Sequence, residues 1–260
     1  MNYTAGIHHV AFPTTDPGSV LEFYVGKMGG VVPYCITCKG WGAQGYPDYV
    51  HMFIDVGRGA NLAMFYFFGL DDVRNAPPIS THISFGADTM DDLDYWESHL
   101  RDGGEKVLRL EHEAMTSLYV KTPTGAQLEI AHNLRPLNEH DAIDGQLTAE
   151  ALCRTAAEEV PTIERMWEHK AALVQDRIGS YEGAVLYVPV ASELEAILEG
   201  VETSATVTTV DSFHVVQGDA ETLRVERPEG VRDSLWAGCG TGGLQGTVTR
   251  YDQGALELTA

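Results

Sequence analysis

Two histidines and one glutamate carry the first chemical signal in the chain. His9 opens the run His9-Val10-Ala11-Phe12, and His82 opens His82-Ile83-Ser84-Phe85. Glu129 sits in Gly125-Ala126-Gln127-Leu128-Glu129-Ile130, which aligns with Gly59-Ala60-Asn61-Leu62-Ala63-Met64. A lone strand histidine is usually an ordinary core or surface residue, but two at equivalent places of an internal repeat suggest a shared task. Two neutral imidazoles and a carboxylate on one face of an octahedron suit non-haem Fe(II) and leave positions open. The counterpart of Glu129 in the first half is Ala63, which cannot ligate. Three ligands leave three positions open on an octahedral ion. Neighbouring side chains in a strand point opposite ways. His9 is therefore taken as the ligand because it aligns with His82, and His8 is expected to face away.

These residues need strands to hold them. Gly6 to Phe12 is strand-like. Asp16-Pro17-Gly18-Ser19 can cap a helical stretch from Val20 to Met28, and strand-like runs follow near 31–36, 49–56 and 60–67. The order βαβββ returns after Pro77-Pro78. There, a strand at Thr81–Phe85 precedes a helix from Leu93 to Leu100 ended by Gly103-Gly104, then strands near 105–111, 116–121 and 126–132. The expected fold is α+β: a paired βαβββ module over residues 1–136, with repeats at about 6–68 and 79–133. Residues 134–146 read as a linker, and 147–260 as a smaller α+β region of unassigned role. In that region residues 148–177 have helical spacing broken at Pro161, and β-like runs lie near 184–188, 205–210, 222–225 and 247–249 around a short helix at Ser192–Leu198.

The composition sets limits on partners. The chain has 260 residues, 44% apolar and 21% charged, with a formal net charge of −21. Such a surface repels phosphate backbones and anionic lipid, so nucleic acid and membrane are poor partners. No apolar run reaches the roughly 18 residues a membrane helix needs, and Met1-Asn2-Tyr3-Thr4-Ala5 gives no reason to expect a signal peptide. Cys35 and Cys38 form a CxxC in a run that alternates like a strand. With no second pair for zinc, the four cysteines are read as structural thiols in a reducing cytoplasm. Self-association into a homo-oligomer stays open.

A longer motif narrows the family. The stretch from Leu110 to Glu129 resembles the extradiol ring-cleavage dioxygenase pattern, with His112, Leu118, Tyr119, Thr122, Pro123, Gly125 and Glu129 in place and Leu110 departing from the usual residue. Over residues 6–133 the chain resembles the vicinal oxygen chelate superfamily of glyoxalases, bleomycin-resistance proteins and extradiol dioxygenases, and within it the dioxygenases. The resemblance implies that His9, His82 and Glu129 match the metal ligands, with Fe(II) the expected ion and Mn(II) the alternative. It also implies that Tyr119 bonds a metal-bound substrate oxygen with His112 beside it, and that His51 stands where the first module carries its acid–base histidine. The expected activity is extradiol cleavage of a small aromatic diol by dioxygen. Other readings of the same scaffold are a Mn(II)-dependent thiol transferase, an epimerase, or a non-catalytic small-molecule binding protein. Four-ligand glyoxalase-type sites fit poorly with Ala63.

Three further features are expected to be structural. Gly238-Cys239-Gly240-Thr241-Gly242-Gly243 matches GxGxxG, but a β-like run follows it where a dinucleotide site needs a helix, so it reads as a turn. Trp41, in a glycine-rich loop, reads as an ordinary loop residue that could cover a cleft. His132 and His140 read as solvent-facing.

Overall fold

The computed structural model describes residues 4–40, 46–57, 59, 61–219 and 221–260. The first repeat runs β1 (Ile7–Thr14), α1 (Pro17–Leu21) continued by a π-helical turn (Glu22–Lys27), β2 (Val31–Cys38), β3 (Tyr49–Asp55) and β4 (Asn61–Phe67). Asp16 starts the helix by accepting from the Ser19 N–H, and Pro17 fills the first turn, where its missing donor costs nothing. The second repeat runs β5 (His82–Gly86), α2 (Met90–Asp102), β6 (Leu108–Glu111), β7 (Met115–Lys121) and β8 (Gln127–Asn133). Thr89 caps α2, with Asp91 and Asp92 in its first turn and Arg101 in its last, charges that oppose the helix dipole. This is the expected α+β fold of paired βαβββ units.

The eight strands form one sheet in the order β2-β3-β4-β1-β5-β8-β7-β6. At its centre β1 and β5 run antiparallel, with His9 opposite Ser84 and Ala11 opposite His82. β4 lies parallel to β1 with Ala63 beside Ala11, and β8 lies parallel to β5 with Glu129 beside Ser84. The repeat is thus realised as a pseudo-twofold between β1 and β5. The sheet also curls, because its opposite edges meet: the Tyr34 hydroxyl of β2 donates to Glu113, in the β6–β7 turn, at 2.8 Å.

The outer face of the first half is apolar, with Val32, Val50, Met52, Ile54, Met64 and Tyr66 buried in one continuous core. That core is completed by α3 (Glu139–Ala156), α4 (Ile163–Ile178) and the strands beyond them, through residues such as Leu152, Trp167, Leu186 and Trp236. The second half is covered by α2, whose Leu93 packs on Leu118 and Ile130. The expected linker is shorter than read: Asn138 caps α3 with a reciprocal bond to Asp141, so the helix starts at Glu139. Pro161 does separate α3 from α4, with Thr162 as the new cap.

Beyond α4 come β9 (Val185–Pro189), β10 (Thr206–Val210), β11 (Phe213–Gln217), β12 (Thr222–Glu226), α5 (Asp233–Trp236), β13 (Leu244–Gln245), β14 (Thr247–Tyr251) and β15 (Ala255–Thr259). They form two small sheets, β10-β11-β9-β13 and β12-β15-β14. β11, β13 and β15 lie outside the expected runs. α5 and the turn after it fill the gap between the edges of the curled sheet. The Lys39 N–H donates to the Ala237 carbonyl at 2.9 Å on one edge, and the Ser234 hydroxyl donates to the Glu111 carbonyl at 2.5 Å on the other. The glycines of the GxGxxG run serve this packing: a Cβ at Gly240 would stand 2.5 Å from the Trp167 ring, and one at Gly242 would stand 2.0 Å from the Tyr187 carbonyl. Among the described residues no helix is long and apolar enough to cross a membrane.

Candidate metal centre

His9, His82 and Glu129 converge at the middle of the curled sheet and are at most 3% exposed. The Nε2 atoms of the two rings and Oε2 of Glu129 form a triangle with every side 3.0 Å. Donors at adjacent corners of an octahedron, with bonds of about 2.1 Å, lie about 3.0 Å apart, whereas tetrahedral donors would lie about 3.4 Å apart. The triangle therefore fits one face of an octahedral ion.

The hydrogen bonds behind the rings sharpen the test. His82 Nδ1 donates to the Ile79 carbonyl at 2.6 Å, which leaves its Nε2 a bare lone pair. His8 Nε2 donates to Asn133 Oδ1 at 3.1 Å, so His8 Nδ1 can only accept, and it does so from His9 Nδ1 at 2.8 Å. His9 Nε2 is then also bare. Glu129 sets its carboxylate oxygen against both bare nitrogens. Oε2 has no hydrogen-bond donor among the described residues. Two lone pairs and a negative oxygen facing one point call for a cation, and the donor set suits a divalent metal. The expectation that His8 faces away fails for a local reason. The pairing of β1 with β5 slips between Ile7 and His9, and this bulge turns His8 beside its neighbour.

The flanking strands bring the remaining candidates in from two sides. β3 and β7 lie on opposite sides of the central β1–β5 pair. His51 on β3 stacks on Phe65 with ring centroids 3.7 Å apart and stands 6.0 Å from the His9 ring. Its buried Nε2 has no hydrogen-bond partner among the described residues. Burial pushes its pKa well below the ordinary imidazole value, so it is neutral. On the other side Tyr119 pairs with Glu129 across β7 and β8, and His112 Nε2 lies 3.2 Å from the Tyr119 hydroxyl. Burial, then the Glu129 charge, raise the Tyr119 phenol well above its usual value, and burial lowers His112. The first-half counterparts of Tyr119 and Glu129 are Phe53 and Ala63, paired in the same register. Phe53 sets its ring edgewise against His9 at 5.3 Å. One half of the centre is thus apolar and aromatic, and the other carries the hydroxyl and the carboxylate.

A cavity of about 450 Å³ lies over these groups, lined by Tyr49, His51, Phe65, His112 and Tyr119 and, from the C-terminal region, by Asp233 and Gln253. The last two are absent from the sequence reading. Arg227 holds both, Asp233 at 2.7 Å and Gln253 at 2.8 Å. No local pattern announces such a contact. Trp41 lies outside the described residues. Lys39 is tied to Glu164 and Asp48 by ion pairs. Cys35 and Cys38 are buried free thiols on opposite faces of β2, one in the outer core and one in the cleft, so three-residue spacing in a strand separates them. His132 and His140 are not simply solvent-facing: the first donates to the Ala87 carbonyl at 2.9 Å and the second bonds Ser212 at 3.0 Å.

Fold and site together define a paired βαβββ protein with a two-histidine, one-carboxylate centre. Residues 6–130 match the family model of the Glyoxalase/Bleomycin resistance protein/Dioxygenase superfamily. No curated protein matches the sequence. Among solved structures the chain is similar to methylmalonyl-CoA epimerase from Mycobacterium tuberculosis at 17% identity, covering 52% of this chain and 94% of that one, with a TM-score of 0.37. It is similar to 2,2',3-trihydroxybiphenyl 1,2-dioxygenase from Sphingomonas wittichii strain RW1 at 18%, covering 49% and 42%, with a TM-score of 0.38. It is similar also to the Mn(II)-bound glyoxalase from Novosphingobium aromaticivorans at 14%, covering 54% and 44%, with a TM-score of 0.33. The chain thus spans most of the epimerase but under half of the other two. Likenesses this remote bear on neither substrate nor reaction.

Proposed function

We propose that the protein is an Fe(II)-dependent extradiol dioxygenase that cleaves a small catechol beside its diol. The observation that carries this reading is a three-donor centre flanked by the His112–Tyr119 pair on one side and a neutral, buried His51 on the other, with these three flanking residues lining one cavity. His9, His82 and Glu129 would hold the ion, and Ala63 leaves the fourth corner without a protein ligand. When bound, Fe(II) supplies a site that acidifies a catechol hydroxyl and brings dioxygen beside the ring.

The chain's own residues do the rest. The Tyr119 hydroxyl, kept protonated, donates to a substrate oxygen, and His112 orients that hydroxyl from 3.2 Å. His51 Nε2, unpartnered and uncharged, takes the second catechol proton and later returns one. Phe65 fixes the His51 ring by stacking, and with Tyr49 gives the aromatic substrate an apolar wall. The test is anaerobic loading with Fe(II), followed by a panel of catechols in air. Oxygen uptake matched by a yellow hydroxymuconic semialdehyde-type product is expected. Iron binding with no oxygen uptake across the panel would turn the reading toward an epimerase or a thiol transferase on the same scaffold.

A further inference from the structure

We infer that His8 and Asn133 form a positioning relay that fixes the ring of His9 with its Nε2 lone pair toward the metal. The inference rests on the reading of His9, His82 and Glu129 as metal ligands, and it concerns how one of them is prepared. The two imidazoles of the centre are oriented by different means. His82 uses a backbone carbonyl, that of Ile79, at 2.6 Å. His9 uses a side chain, His8 Nδ1 at 2.8 Å, which is in turn set by Asn133 Oδ1 at 3.1 Å. The residue that precedes His82, at the place equivalent to His8, is Thr81, so the relay belongs to the first half alone.

The polarity of the relay runs one way. Asn133 Oδ1 accepts, so His8 carries its proton on Nε2. His8 Nδ1 then accepts, so His9 carries its proton on Nδ1 and presents Nε2 bare. A hydrogen bond at the far nitrogen both fixes the ring and raises the basicity of the ligating one. The backbone is shaped for this contact. The bulge between Ile7 and His9 turns the His8 ring edgewise to that of His9, with centroids 5.1 Å apart. Asn133 ends β8, the strand that also carries Glu129, so one strand supplies a ligand and the anchor of the relay. His8 and Asn133 also line a second pocket of about 340 Å³, whose other walls include Asn61, Asp88 and His132. The relay therefore lies between that pocket and the centre.

The test uses the full chain loaded with Zn(II), a diamagnetic probe. Affinity is measured by competition with a chelator, and the His9–His8 contact by the N–N scalar coupling across the bond. In the wild type a coupling between His9 Nδ1 and His8 Nδ1 is expected. His8→Phe, which keeps a ring but no acceptor, should weaken Zn(II) binding roughly 10- to 100-fold, the usual weight of such an outer partner. His8→Gln keeps an acceptor toward His9 and a donor toward Asn133, and should stay within about threefold of the wild type, while Asn133→Leu should weaken binding about tenfold. A purely structural role for His8 would leave Phe and Gln alike. Equal affinities for His8→Phe and wild type, or the absence of the coupling in the loaded wild type, would overturn the relay. Loss of binding in His8→Phe as complete as in His9→Ala would make His8 a ligand and overturn it too. Failure of the wild type to bind Zn(II) would remove the metal centre itself, and the relay with it, before any variant is compared.

Discussion

Each side chain of the candidate site is defined by where its protons can sit. In the triangle of His9, His82 and Glu129 neither ring has a proton to offer the carboxylate, so a cation should stabilise the folded chain. Manganese at about 100 times its dissociation constant should add about 2.7 kcal/mol and raise the melting temperature, an effect a chelator reverses. In Glu129→Gln that metal-dependent rise should vanish; an unchanged rise would place the ion elsewhere. His51 holds no ligand position and has a free ring nitrogen. His51→Ala should leave iron and catechol binding nearly intact and slow turnover roughly 10²- to 10⁴-fold. Full turnover in His51→Ala beside an inactive His112→Ala would move the acid–base role to His112, and loss of iron would make His51 a ligand.

Among the elements, α3 and α4 are joined by a buried ion pair. Lys170, fully enclosed, gives one hydrogen bond to Asp144 and one to Thr148, each 2.6 Å long. Burial raises Asp144 above the usual carboxylate value, and Lys170 opposes this. Removing one partner strands the other charge, so Lys170→Ala should destabilise by about 3–5 kcal/mol, while Lys170→Met with Asp144→Leu should recover most of the loss. Urea unfolding of the three chains checks this; equal stability of single and double variants would mean that the pair is not coupled.

At the scale of the molecule, the curled sheet closes on a buried acid. Glu113 accepts from Tyr34, yet burial lifts its pKa to about 8, with Asp144 and Glu193 adding to the rise and Tyr34 opposing it. A carboxyl raised above its unfolded value of about 4.5 binds a proton in the folded state that the unfolded chain has lost. Its contribution is thus fully present below pH 4.5 and declines as pH rises to 8, by at most about 1.4 kcal/mol per pH unit. Glu113→Gln should flatten that decline in a series of melts between pH 5 and 8; a parallel series would show that Glu113 is ionised throughout. The outer face of β2, β3 and β4 makes a second test. A chain ending at Asn138 would expose Val32, Val50, Met52, Ile54, Met64 and Tyr66, which the C-terminal region now covers. Such a fragment should be insoluble or lack a cooperative transition, and a soluble, cooperatively melting fragment would show that the paired module stands alone.

The repeat carried most of what could be read before the fold. Strand alternation and the matched runs at His9 and His82 set the register, and Ala63 against Glu129 set a candidate site of three donors rather than four. Such signals are local: side-chain direction repeats every two residues, so a short run announces its own face. Tertiary structure alone decided three things. A one-residue slip in β1 turned His8 back toward His9. α5 reached across to Glu111 and closed the curled sheet. Asp233 and Gln253 entered the cavity from the far end of the chain. Each depends on pairing between distant segments, where the energy comes from packing and register, and no short run of sequence records which partner will be met.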